Sequence, residues 1–191
     1  AGGFSEPFVD SGSVLALDSF LSDSIKNKVL SWNNQTYNGE IYAIPLDMYV
    51  SPFYVNIDIL KRNGLDAPTT FNDLLDTVPI LKSDDVIPLS VGAKSVWPIE
   101  FYWDIIVLRT VGAKKYLAAS RGEVPFNDPE FIQASEYFVE LVDVGAFGER
   151  SMALSLGKGD SRANLFSGKS TMYFNTSSAI GQIEGSPVDG K

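Results

Sequence analysis

YNGEIYAIPLDMYVSPFYVN, residues 37–56, contains two strand-like runs of aromatic and β-branched residues that prolines interrupt. Asn38-Gly39 is a dipeptide that favours a tight turn between paired strands. Residues 40–44 then alternate polar and apolar, which predicts a half-buried strand. Pro45 has no amide N–H to donate to a neighbouring strand, so the first run is expected to end there.

A carboxylate and a phenol follow this proline. Asp47 and Tyr49 are two residues apart, and on an extended segment such side chains point to the same side. They are therefore placed to face a ligand together. The plainer interpretation, a turn carboxylate near a packing phenol, stays open from these residues alone.

Several segments, in order along the chain, resemble the family 1 extracellular solute-binding proteins, the sugar-binding components of bacterial ABC importers. The matching segments are GEIYAIP (39–45), FYVN (53–56), IDILKRNG (57–64), PTTFNDL (68–74) and FSGKSTM (166–172). Each segment is short, but together they span nearly the whole chain.

This resemblance implies an α/β fold. The expected architecture is a periplasmic-binding-protein-like lobe, a mixed sheet flanked by helices, with pieces of the other lobe at both ends. Residues 1–45 correspond to the end of the first lobe and its crossing strand, 46–174 to the second lobe, and 175–191 to the second crossing and the return to the first lobe. Family members are considerably longer, so the chain is expected to be a piece of a longer protein.

The resemblance also implies a function without catalysis, the capture of a mono- or oligosaccharide in a cleft between two lobes for ABC-type import. The expected partners are the carbohydrate and the permease subunits of the transporter. The protein is expected either to be held at the extracellular face of the membrane by a lipid anchor or to lie in the periplasm. It is expected to be a monomer. No cofactor, metal or catalytic residue is expected.

Composition excludes several other classes. The net charge of −9 argues against a nucleic-acid partner, because phosphate backbones are bound by clustered Lys and Arg. The chain has no Cys and no His, which removes thiolate nucleophiles, imidazole bases and the commonest zinc ligands. With 45% hydrophobic residues and no long apolar run, the sequence predicts a globular protein without a membrane span.

Spacing and cap residues predict the helices and strands. Apolar residues three and four apart over 14–30 predict an amphipathic helix. Thr70 with an acid three residues later predicts a helix start, and Pro79 is expected to end or kink that helix. A buried strand is expected over 86–92, and Asp128 followed by proline predicts another helix.

Trp97 is the aromatic candidate for a ligand platform. It lies between a predicted strand and a predicted helix over 99–111, and the following Pro98 is expected to hold Trp97 extended. Sugar sites combine an aromatic face with carboxylates and amides that bond to hydroxyls. Core filling is the alternative role for this side chain.

The return strand is expected over 172–175, and the second crossing follows it. Asn175 and Ser177 are candidate ligand contacts there. The family commonly has a sugar-stacking Trp shortly after this point, and this sequence lacks it. The difference shifts more weight onto Trp97, or onto residues of the longer protein that are expected to precede this sequence.

Two other functional classes stay open. A carbohydrate-active hydrolase needs two carboxylates about 5 to 10 Å apart with one pKa raised, and 24 acidic residues make chance pairs plentiful. A structural or adhesion domain would use the same aromatic residues for packing alone. Turnover of chromogenic glycosides tests the first alternative, and a glycan-binding screen tests the second.

Overall fold

The computed structural model of the chain describes residues 6–153 and 161–179. The chain divides into two units, Ala1–Tyr49 and Val50–Lys191. Helices and strands alternate along the second unit, so the predicted α/β class is confirmed.

The first unit has short elements only. Its described helices and strands are α1 (Glu6–Asp10), α2 (Asp23–Lys26), β1 (Thr36–Tyr37) and β2 (Glu40–Ile41). The strands β1 and β2 pair antiparallel, and Asn38 and Gly39 turn between them at φ of 51° and 89°. The predicted turn is therefore confirmed, whereas the strand predicted over 40–44 ends at Ile41.

The helix predicted over 14–30 is wrong, because α2 covers only Asp23–Lys26. Of the apolar residues that define its predicted face, Leu21 is buried, whereas Val14 and Ile25 are exposed. Most of the stability of a helix in a protein comes from packing its apolar face against other elements. Within the described part of this unit, Leu21 and Ile41 are the buried apolar side chains, so such a face has little to pack against.

The second unit carries the main sheet and the longer helices. Its described elements are β3 (Phe53–Val55), α3 (Ile57–Arg62), α4 (Phe71–Ser83), β4 (Ile87–Ser90), α5 (Trp97–Val111), α6 (Ala113–Ser120), α7 (Pro129–Asp143), α8 (Ser161–Phe166) and β5 (Ser170–Phe174). The strand predicted over 86–92 is confirmed as β4, and the return strand β5 begins two residues earlier than predicted.

The strand β5 is central in a sheet of order β3-β5-β4. It pairs antiparallel with β3, with Phe174 opposite Phe53, and parallel with β4, with Met172 opposite Leu89. The ends of β4 and β5 and the start of β3 therefore lie at one edge of the sheet. We call this edge, with the residues that follow or precede these strands there, the strand-end edge.

Three helices begin at side-chain caps, and the sequence predicts two of them, Thr70 and Asp128. Asn56 accepts a hydrogen bond from the third residue of α3, and Asp128 caps α7, in which proline is the first residue. Thr70 and Asp73 form a reciprocal capping box at the start of α4. These local predictions are confirmed because a cap needs only residues close in sequence.

The core of the second unit lies between the sheet and helices α4, α5 and α7. Val78, Leu89, Tyr102, Leu141 and Met172 are all 1% exposed or less. A smaller cluster, built on Val107, Ala119, Phe131 and Ala134, joins α5 to α6 and α7.

Pro79 neither ends α4 nor limits it, since the helix runs on to Ser83. Val78 and Leu81 flank this proline and are fully buried in the core. Burying a large aliphatic side chain stabilises by about 1.5 to 3 kcal/mol, so a few such residues offset the roughly 3 kcal/mol that proline costs inside a helix.

We expect Pro79→Ala to raise the free energy of unfolding by about 1 to 2 kcal/mol. Alanine restores one helical hydrogen bond. It also makes the unfolded chain more flexible, which offsets part of the gain in stability. Chemical denaturation measures the change, with Asp76→Ala on the same helix as the control for helix propensity alone. A Pro79→Ala variant no more stable than that control would contradict the expectation.

Candidate functional site

Two segments leave the sheet side by side at the strand-end edge. Ser177 donates its backbone N–H to the carbonyl of Val50 at 2.7 Å, and its hydroxyl accepts from the Val50 N–H at 3.4 Å. The N–H of Asn175 donates to the carbonyl of Pro52 at 3.4 Å. We call residues 50–52 and 175–177 the paired segments, and these bonds hold them in register.

The side chain of Asn175 is engaged in this arrangement. Its amide nitrogen donates to the hydroxyl of Tyr173 at 2.9 Å, and its oxygen accepts from the N–H of Thr176 at 2.8 Å. It is 5% exposed. Burial raises the pKa of the Tyr173 phenol, so the phenol stays neutral and keeps both hydrogen-bonding roles. Asn175 thus shapes the turn after β5, and its contact with a ligand stays a prediction.

Trp97 is the first residue of α5 and lies partly in solvent, with 39% of its surface exposed. Its ring meets Phe101 edge to face at 5.1 Å, and Phe101 lies 6.4 Å from Phe174 at the end of β5. The expected extended conformation of Trp97 is wrong, because the helix already includes Trp97 and Pro98. Proline is tolerated there because the first helical N–H groups need no partner within the helix.

The residue before Trp97 has an unusual backbone. Val96 has φ 63° and ψ −66°, and its side chain is 69% exposed. Positive φ in a β-branched residue is a marked outlier, and these angles match the rare, strained form of the γ-turn. Such a conformation costs on the order of 1 to 3 kcal/mol.

Asp47 and Tyr49 form a pair of their own at the end of the first unit. The phenol of Tyr49 donates to a carboxylate oxygen of Asp47 at 2.6 Å, and both side chains are exposed. This bond raises the pKa of the Tyr49 phenol. The two side chains therefore share one side of the segment, as their spacing predicts, and present an acceptor and an aromatic face together.

A recess of about 570 Å³ in the second unit reaches the strand-end edge, since Ser51, Phe53 and Phe174 are among its lining residues. Phe53, Ile105 and Met172 are among its mainly apolar walls. The hydroxyl of Thr69 on its rim donates to Asp73 at 3.0 Å, and that of Thr110 donates to Ile106 O at 2.8 Å. A hydroxyl that donates can still accept, so these bonds do not exclude a ligand. Trp97 is the better sugar candidate because its aromatic face is exposed.

Sequence reasoning missed Tyr102 and Val96. The hydroxyl of Tyr102 accepts from the N–H of Phe174 at 3.1 Å and donates to Ser90 O at 3.4 Å, and so joins the ends of β5 and β4. A tyrosine in an otherwise apolar helix is the available signal, since a buried phenol needs a partner. No residue type in the sequence marks the strained conformation of Val96.

Within residues 6–153 and 161–179, no group of three acidic side chains is arranged to hold a metal ion. No helix in these ranges combines the length and apolar character needed to cross a membrane.

Comparison with known proteins identifies the class. The family described as bacterial extracellular solute-binding protein matches residues 1–189, and the chain belongs to this family. Lipoprotein LipO of Bacillus subtilis is 24% identical over 92% of this chain and 38% of its own length. The Multiple sugar-binding protein of Streptococcus mutans is 26% identical over 54% of this chain and 24% of its own length.

Solved structures share the fold. A protein from a study of xylan utilization by Caldanaerobius polysaccharolyticus superposes with a TM-score of 0.86 at 36% identity, over 98% of this chain and 48% of that one. A chitin oligosaccharide binding protein superposes with a TM-score of 0.85 at 22% identity, over 94% of this chain and 45% of that one. The chain thus spans less than half the length of these relatives.

Proposed function

We propose that the protein captures a mono- or oligosaccharide without catalysis and delivers it to an ABC-type importer. The observation that carries this proposal is the partly exposed Trp97 at the strand-end edge, close in the chain to the end of β4. An aromatic face in this position can stack on the weakly polar C–H face of a sugar ring. Membership of the solute-binding family and the sugar-binding names of relatives support the same function.

Four residues are the candidate polar groups for the sugar hydroxyls in this proposal. Asp47 and Tyr49 supply a carboxylate and a phenol, and Ser177, with Asn175, lies on the paired segments. Sugars are bound through such hydroxyl-bonding groups beside an aromatic platform. We assign residues 46–174 to the second lobe of a two-lobed protein, with the ligand in the cleft between the lobes.

The same proposal defines partners and location. The permease subunits of a transporter receive the sugar, and the protein is a monomer at the extracellular face of the membrane, held by a lipid anchor, or in the periplasm. A lipoprotein among the relatives supports the anchored form.

The carboxyl groups support binding over hydrolysis. A glycosidase needs a carboxylic acid with a raised pKa. In the described ranges, every carboxyl group whose pKa is displaced has it lowered, by hydrogen bonds from neighbouring side chains; these are Asp73, Asp84, Glu123 and Asp128. Turnover of chromogenic glycosides by the purified protein would overturn the assignment.

The test of the function is titration of the full-length protein with a panel of mono- and oligosaccharides. Tryptophan fluorescence and calorimetry measure the binding. The expected result is saturable binding of at least one sugar with a change in tryptophan emission. Absence of binding across the panel would contradict the proposal.

We expect the 191-residue chain alone to bind sugar more weakly than micromolar. The relatives that it matches are about twice as long, and a ligand held between two lobes needs contacts from both to favour the closed state. Calorimetry on the isolated chain measures this. Micromolar affinity would instead show that these residues hold the whole site.

A further inference from the structure

The chain contains two Asn-Gly dipeptides, Asn38-Gly39 and Asn63-Gly64, and the structure holds them differently. In such a dipeptide the amide nitrogen of glycine can attack the carboxamide carbon of asparagine, because glycine has no side chain to block the approach. The reacting groups are the same at both places. A difference in reactivity therefore has to come from their surroundings.

Asn63 is held at both of its reacting groups. Its carboxamide nitrogen donates to Ile59 O at 3.0 Å and to a carboxylate oxygen of Asp84 at 3.1 Å. The N–H of Gly64, the group that would attack, donates to Lys61 O at 3.1 Å. These bonds lie at the C-terminal end of α3, where Ile59 is 2% exposed. Both groups are therefore released only when this end of the helix opens.

Asn38 is exposed, and neither of its reacting groups is held. Within the described ranges, no hydrogen bond engages the Asn38 carboxamide, and no carbonyl accepts from the N–H of Gly39. The turn joins strands of only two residues each. Leu21 and Ile41 are the buried apolar side chains in the described part of this unit, so the turn can open at small cost.

We propose that Asn38 is a modification site at which the protein deamidates spontaneously, whereas the structure protects Asn63. The Gly39 nitrogen loses its proton and forms a bond to the Asn38 carboxamide carbon, ammonia leaves, and a cyclic succinimide remains. Water then opens this ring at one carbonyl or the other and gives aspartate or isoaspartate. The reaction needs water alone as co-reactant, and it is independent of the proposed function in sugar binding.

Either product changes the turn between β1 and β2. Both products add a negative charge close to Glu40, in a protein whose net charge is −9. Isoaspartate also carries the main chain through the former side chain, which lengthens the turn by a methylene group. Tyr37 and Glu40 pair directly across this turn, and the register of a hairpin depends on the length of its loop. Isoaspartate should therefore loosen the pairing of β1 with β2.

The first test is ageing of the full-length protein at mildly alkaline pH, which favours the attacking amide anion. Digestion after lysine places the two sites in separate peptides, residues 29–61 and 62–82, and tandem mass spectrometry locates the deamidated residue in each. We expect deamidation at Asn38 to be at least about tenfold faster than at Asn63, because the helix end opens less often than the turn. A rate at Asn38 no faster than that at Asn63 overturns the proposal.

The same protein aged in denaturant is the control for the flanking residues. Unfolding removes the hydrogen bonds around Asn63, so we expect its rate to rise to one similar to that of Asn38. A preference for Asn38 that persists unchanged in denaturant would come from the neighbouring residues in the sequence and would overturn the role of the fold.

Asn38→Asp separates the added charge from the added length. Aspartate tolerates the positive φ of 51° at this position, and the freshly prepared variant carries the charge without the extra methylene group. In hydrogen exchange, this variant should protect the amides of β1 and β2 as the fresh parent protein does, whereas the aged parent protein should exchange them faster. Unchanged exchange in protein that carries isoaspartate at position 38 would contradict the expected loosening of the hairpin.

Discussion

Replacing Trp97 by alanine should weaken sugar binding by about five- to thirtyfold and leave the fold nearly as stable as before. The expected loss is about 1 to 2 kcal/mol, the lower part of the range measured when an aromatic platform is removed from a stacked nucleic-acid base. The folded protein loses little because the ring is 39% exposed and contacts Phe101 by an edge. Calorimetric titration of the full-length protein, paired with thermal melting, measures both effects.

Trp103, which follows Trp97 in α5 by less than two helical turns, provides the matched control. Its indole N–H donates to the hydroxyl of Ser135 at 3.0 Å, and its ring packs against the smaller cluster. Trp103→Ala should therefore lower the free energy of unfolding by about 3 kcal/mol and leave Kd unchanged in the folded fraction. A Trp97→Ala variant that melts early and binds normally would assign Trp97 to the core instead.

The largest loss of stability is expected at Tyr102. Tyr102→Ala removes a fully buried ring from contact with Phe53, Phe147 and Phe174, which should cost about 3 to 5 kcal/mol. Chemical denaturation of the variant measures this loss. A cost below about 1 kcal/mol would show that the surrounding rings collapse into the space.

Tyr102→Phe isolates the hydroxyl from the ring. Burial raises the pKa of this phenol, so it is neutral and can accept from Phe174 N–H while it donates to Ser90 O. Its removal leaves a buried N–H without this partner, which should cost about 1 to 3 kcal/mol. Tyr137→Phe, at a phenol that is 37% exposed, should change stability by less than about 0.5 kcal/mol.

Local signals in the sequence predict local structure well. The caps at Thr70 and Asp128 and the Asn38-Gly39 turn are all confirmed, because each depends on hydrogen bonds or dihedral angles within a few residues. The family resemblance is confirmed over residues 1–189. Together these give the α/β class and the order of the elements.

Features that depend on packing between residues far apart in the chain could not be predicted from the sequence. Pro79 is expected to end or kink α4, and the helix does not end there because the neighbours of Pro79 are buried in the core. The apolar spacing over 14–30 predicts an amphipathic helix. The described part of its unit offers this apolar face little to pack against, and the helix is confined to α2.

The candidate site shows the same limit. Trp97 is a candidate because of its place between a strand and a helix, and the spacing of Asp47 and Tyr49 predicts their shared side. The internal bonds of Asn175 and the strain at Val96 depend on how two segments meet, which residue types alone do not encode.

The sparse interior of the first unit has a consequence for how the chain unfolds. Opening free energy follows the apolar area that a region buries, and here the described part of the first unit buries only Leu21 and Ile41, whereas the second buries a continuous cluster. Amide protons on β1 and β2 should therefore exchange with solvent through small local openings. Amide protons on β5 should exchange only when the second unit unfolds cooperatively. We therefore expect one melting temperature for the second unit and, at a lower temperature, a separate change in the emission of Trp32 in the first unit.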